Sequence, residues 1–284
     1  MTTKTQDIIE QSQLGKSSEY KTQYDSSLLY GVPRTLNRNS IGLTDPNNLP
    51  FKGCDIWHGY ELSWLNPKGK PIVALAKFEF DYASINIVES KSFKLYLNSF
   101  NQTPFASAEQ VKQVLTNDLS QCAQGEVNVT LYTPNELSHF TPKALPGICL
   151  DDADIHIDNY QFDPQLLQLA HSDTGDEHQK QTFHSHLLKS NCLITNQPDW
   201  ASVVIDYQGP ALDQQALLRY LISFRQHNEF HEQCVERLYN DIWQLAKPSH
   251  LQVVAYYTRR GGLDISPYRS SSDKKLDFTR TNRQ

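Results

Sequence analysis

The chain has 284 residues, of which 38% are hydrophobic, 20% charged and 11% aromatic, and its formal net charge is −6. That length suits one large domain or two of roughly 100–150 residues each, and the composition excludes a disordered chain. The acidic balance excludes a broad nucleic-acid-binding surface, so no direct nucleic-acid partner is expected. No stretch approaches the ~18 consecutive apolar residues of a membrane helix. Residues 1–20 are polar and lack the apolar core of a signal peptide. The five cysteines (Cys54, Cys122, Cys149, Cys192, Cys234) are odd in number and form no CxxC pair. A reduced, cytoplasmic protein without a disulfide framework is therefore expected.

Residues 1–50 are polar and carry scattered Gly, Pro and Ser, so they read as an extended arm. Residues 54–65 and 71–82 are rich in aromatic and β-branched residues, and Asn66-Pro67-Lys68-Gly69 between them signals a turn. They read as a hairpin. Helices are expected at about 90–100 and 107–121. In the second, Val111, Val114, Leu115 and Leu119 recur at helical spacing, and Ser107 with Gln110 resembles a capping box. A strand at 126–133 closes the unit. Residues 140–180 link it to the second half of the chain, with 171–181 as an exposed loop. Strands near 181–195 and 200–208, helices near 212–226 and 230–246 and a strand at 249–258 then repeat the pattern.

The repetition is also literal. Residues 96–102 (YLNSFNQ) and 220–226 (YLISFRQ) match at five of seven positions with an offset of 124, and 109–119 (EQVKQVLTNDL) matches 232–242 (EQCVERLYNDI) at an offset of 123. This period is far longer than that of a solenoid. The reading is a duplicated ββααβ domain: an arm at 1–50, modules at 51–145 and 181–284, and a linker at 146–180. Antiparallel sheets each covered by two helices make the fold class α+β.

The copies diverge where chemistry is expected. Copy one has Glu89-Ser90-Lys91-Ser92 where copy two has Asp213-Gln214-Gln215-Ala216. Copy two alone carries Cys192, with Asp199 seven residues on, after a turn-like stretch. Cys192 reads either as a small buried hydrophobe or as a nucleophile, for which nearby positive charge such as Lys189 favours the thiolate. Asp199 reads as a turn residue or as an acid–base group beside it. His184, His186 and Cys192 allow a zinc reading. His231-Glu232 begins a helix, where a carboxylate either meets the macrodipole or binds a purine-like NH edge. Arg259-Arg260-Gly261-Gly262 reads as a phosphate clamp or as a solvated strand end. Neither a Rossmann fingerprint nor a Walker sequence is present.

Together these segments carry a resemblance. Glu89-Ser90-Lys91-Ser92-Phe93-Lys94-Leu95-Tyr96, Lys189-Ser190-Asn191-Cys192 with Asn196-Gln197-Pro198-Asp199-Trp200, Phe230-His231-Glu232 and Arg259-Arg260-Gly261-Gly262-Leu263-Asp264-Ile265 resemble, in order and spacing, the queuosine-pathway nitrile reductases of the QueF family, in the long two-module form. The resemblance implies tandem tunnelling-fold (T-fold) modules. It implies NADPH-dependent, four-electron reduction of 7-cyano-7-deazaguanine to 7-aminomethyl-7-deazaguanine, in tRNA modification. By the same resemblance Cys192 forms a thioimide with the nitrile, Asp199 shuttles protons and His231 assists. Ile87, Val88, Glu89, His231 and Glu232 meet the substrate. Ser90, Lys91, Arg259, Arg260 and Gly261 meet NADPH. No metal is called for, and a homodimer is implied. Two other readings remain open: a zinc-dependent cyclohydrolase or pterin synthase on the same fold, using His184, His186 and Cys192, and a non-catalytic purine-binding module.

Overall fold

A computed structural model describes residues 20–136, 140–170, 178–273 and 276–284. The chain divides into two units. The first comprises 1–47, 54–141 and 259–265, the second 48–53, 142–258 and 266–284.

In the first unit, β1 (Gly31–Pro33) leads into the short helix α1 (Thr35–Arg38). The long strands β2 (Lys52–Leu65) and β3 (Pro71–Asp81) form an antiparallel hairpin. Asn66 builds the turn: its Oδ1 accepts from the amides of Lys68 (2.9 Å) and Lys70 (3.0 Å), and its own amide donates to Lys70 O. β4 (Asn86–Val88) pairs antiparallel with β1, Ile87 facing Val32. Helices α2 (Ser90–Ser99) and α3 (Ala108–Ala123) follow, and β5 (Val127–Tyr132) returns antiparallel along β3. Trp57, Phe78 and Val129 from the strands close a core with Phe93, Tyr96, Phe100, Leu115 and Leu119 from the helices.

The second unit opens with the two-residue strand β6 (Ile148–Cys149), parallel to β7 (His178–Asn191). β7 pairs antiparallel with β8 (Pro198–Pro210). Helices α4 (Gln214–Ser223) and α5 (His231–Ala246) follow, and β9 (His250–Tyr257) returns along β8. The last strand, β10 (Leu263–Ser270), is divided: Leu263–Ile265 belongs to the first unit, and the rest pairs with β9 in the second.

The duplication extends to individual hydrogen bonds. Tyr96 OH donates to Asp118 Oδ2 at 2.6 Å, and Tyr220 OH donates to Asp241 Oδ2 at 2.6 Å. The Ser99 and Ser223 hydroxyls donate back to the Tyr96 and Tyr220 carbonyls. The equivalent helices α3 and α5 end on left-handed residues, Gln124 (φ 49°) and Lys247 (φ 44°), whose amides close the last turn. Both leading strands break register at matching places, between Gly59 and Leu62 and between Ser185 and Leu188.

The structure departs from the sequence reading in three places. Of residues 1–50, read as an arm, 1–19 lie outside the described residues, and 31–38 form β1 and α1 within the first unit, where the polarity is buried and paired. Arg34 is 3% exposed, with Nη2 2.5 Å from Asp55 and Nε 3.1 Å from Ser84 Oγ. The strand expected to 195 stops at Asn191, and Cys192 opens the turn instead. The 171–181 loop is strand from His178 onward, while 171–177 lies outside the described residues.

Removing the Tyr220 hydroxyl (Tyr220→Phe) is expected to cost about 1.5–3 kcal/mol, the worth of a hydrogen bond to a charged group. Tyr96→Phe costs less, because Asp118 keeps the 2.6 Å bond from Tyr24 OH. Urea unfolding of the two variants checks the order.

Candidate active site

Cys192 stands where β7 gives way to its turn. Its amide donates to Gln197 O at 2.9 Å, and its carbonyl accepts from Asn196 N (3.1 Å) and Asn228 Nδ2 (3.3 Å). Asn196 takes the left-handed conformation that the turn needs (φ 56°). Continuing the offset of the two strand irregularities, Cys192 occupies the place of Asn66 in the first unit. There the side chain shapes a turn; here a longer turn leaves it a thiol.

Asp199 lies opposite Ser190 in the β7–β8 register. Directly opposed residues share a face, and so do residues two apart on a strand. Cys192, two beyond Ser190, is the first residue after the strand. Asp199 is 4% exposed. His231 is the first residue of α5, and its Nε2 lies 3.4 Å from Asp199 Oδ2. Its ring stacks on Tyr257 with centroids 3.9 Å apart. Glu232 follows, 3% exposed, in the first helical turn.

The approach to α5 is tied to the end of β7. Asn191 N donates to His227 O at 2.8 Å, and Glu229 N returns to Asn191 O at 3.1 Å. These two bonds run the lead-in of α5 alongside the end of β7, and His231 meets Asp199 within the second unit. The start of α5 lacks a capping side chain, Phe230 holding the position that Ser107 holds before α3. The helix therefore presents its positive end uncapped beside the acidic pair Asp199 and Glu232.

Lys189 alternates to the other face, and its Nζ is committed to Asn191 Oδ1 (2.5 Å) and Arg225 O (2.7 Å). Burial, then Arg225, hold its ammonium below the usual lysine range against the pull of Asp199. Cys234, fully buried, is pushed well above the ordinary thiol value by burial and then by Glu229.

His184 Nδ1 lies 2.9 Å from Pro146 O, and His186 Nδ1 lies 2.8 Å from Ser202 Oγ. Among the described residues no group of three or more His, Cys, Asp or Glu side chains is arranged to hold a metal ion.

The remaining predicted residues fall in the first unit. Glu89 caps α2, accepting from the amides of Lys91 (2.6 Å) and Ser92 (2.9 Å). Burial raises its carboxyl above the ordinary value, and those two amides oppose the rise. Asp213 caps the equivalent helix α4 through Ala216 N. Ile87 and Val88 are buried on β4, Val88 within the core. Ser90 and Lys91 form the first turn of α2.

Gly261, some 170 residues further along the chain, meets the same helix at Lys94. A Cβ at Gly261 (φ 56°) would stand 3.2 Å from Lys94 Nζ, and one at Gly262 (φ 75°) 2.5 Å from Glu61 Cδ. The Arg259 guanidinium lies 4.5 Å over the Tyr60 ring. Tyr60 OH and His58 Nδ1 both hold Asp264, His58 at 3.0 Å. Lysines, arginines and the backbone of two positive-φ glycines form a donor set suited to the phosphates of a dinucleotide.

Sequence reasoning missed the supports: Asn191, His227, Glu229, Tyr257 and the His58–Tyr60–Asp264 cluster. Each acts through a partner distant in sequence, and only the Lys189-Ser190-Asn191-Cys192 and Leu263-Asp264-Ile265 segments carried a signal.

Tandem antiparallel ββααβ modules, each with a helix pair against its sheet, define a tunnelling-fold protein. A family model described as "Nitrile reductase, 7-cyano-7-deazaguanine-reductase N-term" matches residues 20–131, and one described as "QueF-like protein" matches residues 198–276. The two matches fall on successive modules and together span about two thirds of the chain. The chain belongs to the QueF family, in its two-module form. It is accordingly an oxidoreductase of the nitrile-reductase class, in queuosine biosynthesis. Among the described residues no helix is long and apolar enough to cross a membrane.

Gly262→Ala is expected to destabilise the protein by about 1–2 kcal/mol from the positive φ alone, with the Glu61 contact adding to it. Gly42→Ala, also at positive φ (79°) but with open space around the added Cβ, carries only the backbone strain. Thermal unfolding of both variants separates strain from clash.

Proposed function

We propose that the chain reduces 7-cyano-7-deazaguanine to 7-aminomethyl-7-deazaguanine with two equivalents of NADPH, through a thioimide on Cys192. What supports this reading is the contact of His231 with Asp199, in the unit that carries Cys192, in a nitrile-reductase family member. The Cys192 sulfur adds to the nitrile carbon. One π bond of the nitrile breaks, and the thiol proton passes by way of Asp199 to the nitrile nitrogen. A nitrile resists direct reduction, whereas the protonated thioimide accepts an electron pair. After the first two-electron reduction the carbon–sulfur bond breaks, Cys192 regains its proton, and an imine remains. A second two-electron reduction and a proton give the amine.

NADPH, when bound, supplies both hydrides, and Ser90, Lys91, Arg259, Arg260 and Gly261 are the residues proposed to hold it. His231, in contact with Asp199, orients or relays the proton. Glu232 accepts from the NH edge of the deazaguanine, and a ring that lacks those donors leaves a buried carboxylate unsatisfied. Ile87, Val88 and Glu89 are proposed as further substrate contacts on the resemblance, beside the capping role of Glu89. All five cysteines are free of disulfides, in keeping with a reduced, cytoplasmic setting. A homodimer is proposed on the same resemblance.

The test mixes purified protein with 7-cyano-7-deazaguanine, follows NADPH absorbance and identifies the product by mass. Two NADPH consumed per aminomethyl product support the reading, and ligand binding without consumption sinks it. Cys192→Ala is expected to bind substrate without a mass adduct, and a retained adduct would remove Cys192 as nucleophile. Asp199→Asn is expected to slow addition by roughly 10²–10⁴-fold, the range for a lost proton shuttle. Arg260→Ala is expected to raise the KM for NADPH more than it lowers kcat.

A further inference from the structure

Behind the reactive cluster lies an ion pair that the chemistry above does not use. Glu229 is 4% exposed, and Arg237 grips it with both Nε (3.0 and 3.1 Å to the two oxygens) and Nη2. His227 Nε2 lies 3.0 Å from the second oxygen. The Arg237 guanidinium is backed by the ring of Phe162 at 5.1 Å, and Phe162 also packs on His227 at 4.9 Å. Burial pushes the Glu229 carboxyl up, but His227 and Arg237 outweigh it and hold it below the ordinary range.

The location matters more than the strength. Residues 227–229 are the segment hydrogen-bonded to both backbone groups of Asn191, the residue before Cys192. Asn228 reaches Cys192 O directly at 3.3 Å and accepts from Asn191 Nδ2 at 3.4 Å. Two residues after Glu229 comes His231. Arg237 sits nearly two turns inside α5, so it ties the helix body to its own lead-in.

The duplication supplies a control. At the offset of 123, Glu229 corresponds to Ala106 and Arg237 to Val114. The first unit has no such pair there, but it has the Ser107 cap that the second unit lacks. The unit that carries Cys192 has exchanged a local cap for a longer-range tie.

We infer that Glu229 and Arg237 are positioning residues that fix the start of α5 against the end of β7, and so set His231 and Glu232 relative to Cys192. The inference rests on the proposed reaction for its kinetic readout but not for its structural one.

Full-length protein carrying Glu229→Gln and Arg237→Met together loses both charges at once, so neither is left buried alone. Arg237→Lys keeps the charge but not the two-pronged grip. Amide hydrogen exchange at Asn191 and Glu229 is read in the resting protein. Addition at Cys192 is timed with 7-cyano-7-deazaguanine alone, by intact mass. The double variant is expected to exchange roughly tenfold faster at both amides and to add substrate about 10- to 100-fold more slowly, with its KM for NADPH unchanged, as a small misplacement of reacting groups would produce. Arg237→Lys falls between it and the parent, and decides the matter if the double variant fails to fold. Unchanged exchange overturns the inference. Faster exchange with an unchanged addition rate also overturns it, since the pair would then be structural support only. A parent that forms no adduct refutes the proposed reaction, while exchange still decides the tie.

Discussion

The register of the β7–β8 hairpin is the constraint on which the reactive end of the second unit depends. It sets Ser190 opposite Asp199, with Cys192 the first residue beyond the ladder. Side chains alternate along a strand, and a slip of one residue would send them to opposite faces. Two features hold the register. One is the paired ladder from His178 to Asn191. The other is Asp151, whose carboxylate fills the irregularity in β7 by accepting from Ser185 Oγ (2.6 Å) and His186 N (2.8 Å). The linker, far from being passive, supplies the group that satisfies the break in the strand.

The two modules show what duplication conserves and what it releases. The Tyr–Asp and Ser–carbonyl bonds between and within the paired helices persist in both, because each closes polar groups inside a packed core, where an unmet group is costly. The hairpin turn and the helix start have diverged. In the first unit Asn66 and Ser107 satisfy local backbone groups with their own side chains. In the second, Cys192 and Phe230 occupy those places, and the backbone there is satisfied by other residues: Gln197, Asn228 and Gln233.

Much of this was legible in the sequence because it is local or periodic. The turn residues, the helical spacing of Val111, Leu115 and Leu119, the Ser107 cap and the internal repeat all act within a few residues or at one offset. The candidate residues were legible as segments, and within the second unit His231 lies 3.4 Å from Asp199. Less accessible was what depends on partners far along the chain. The polarity of residues 20–47 gave no hint that Arg34 would be buried on Asp55. Lys189 sits three residues before Cys192, yet strand alternation turns it to the other face. Glu89 read as a substrate contact by resemblance, while the capping that occupies its oxygens follows from its place one residue before a helix.

The divided strand β10 has a consequence for how the protein is made. Leu263–Ile265 belongs to the first unit and lies beside β2, where Tyr60 N donates to Gly262 O at 3.0 Å. Those residues leave the ribosome more than a hundred positions after Thr141, the last of the unit's main run. At cellular rates of synthesis that is a delay on the order of ten seconds. Throughout it β2 has one unpaired edge, and Asp264, the partner of His58 and Tyr60, does not yet exist. The nascent first module therefore waits, incomplete and with an open strand edge, until residues 263–265 have been made.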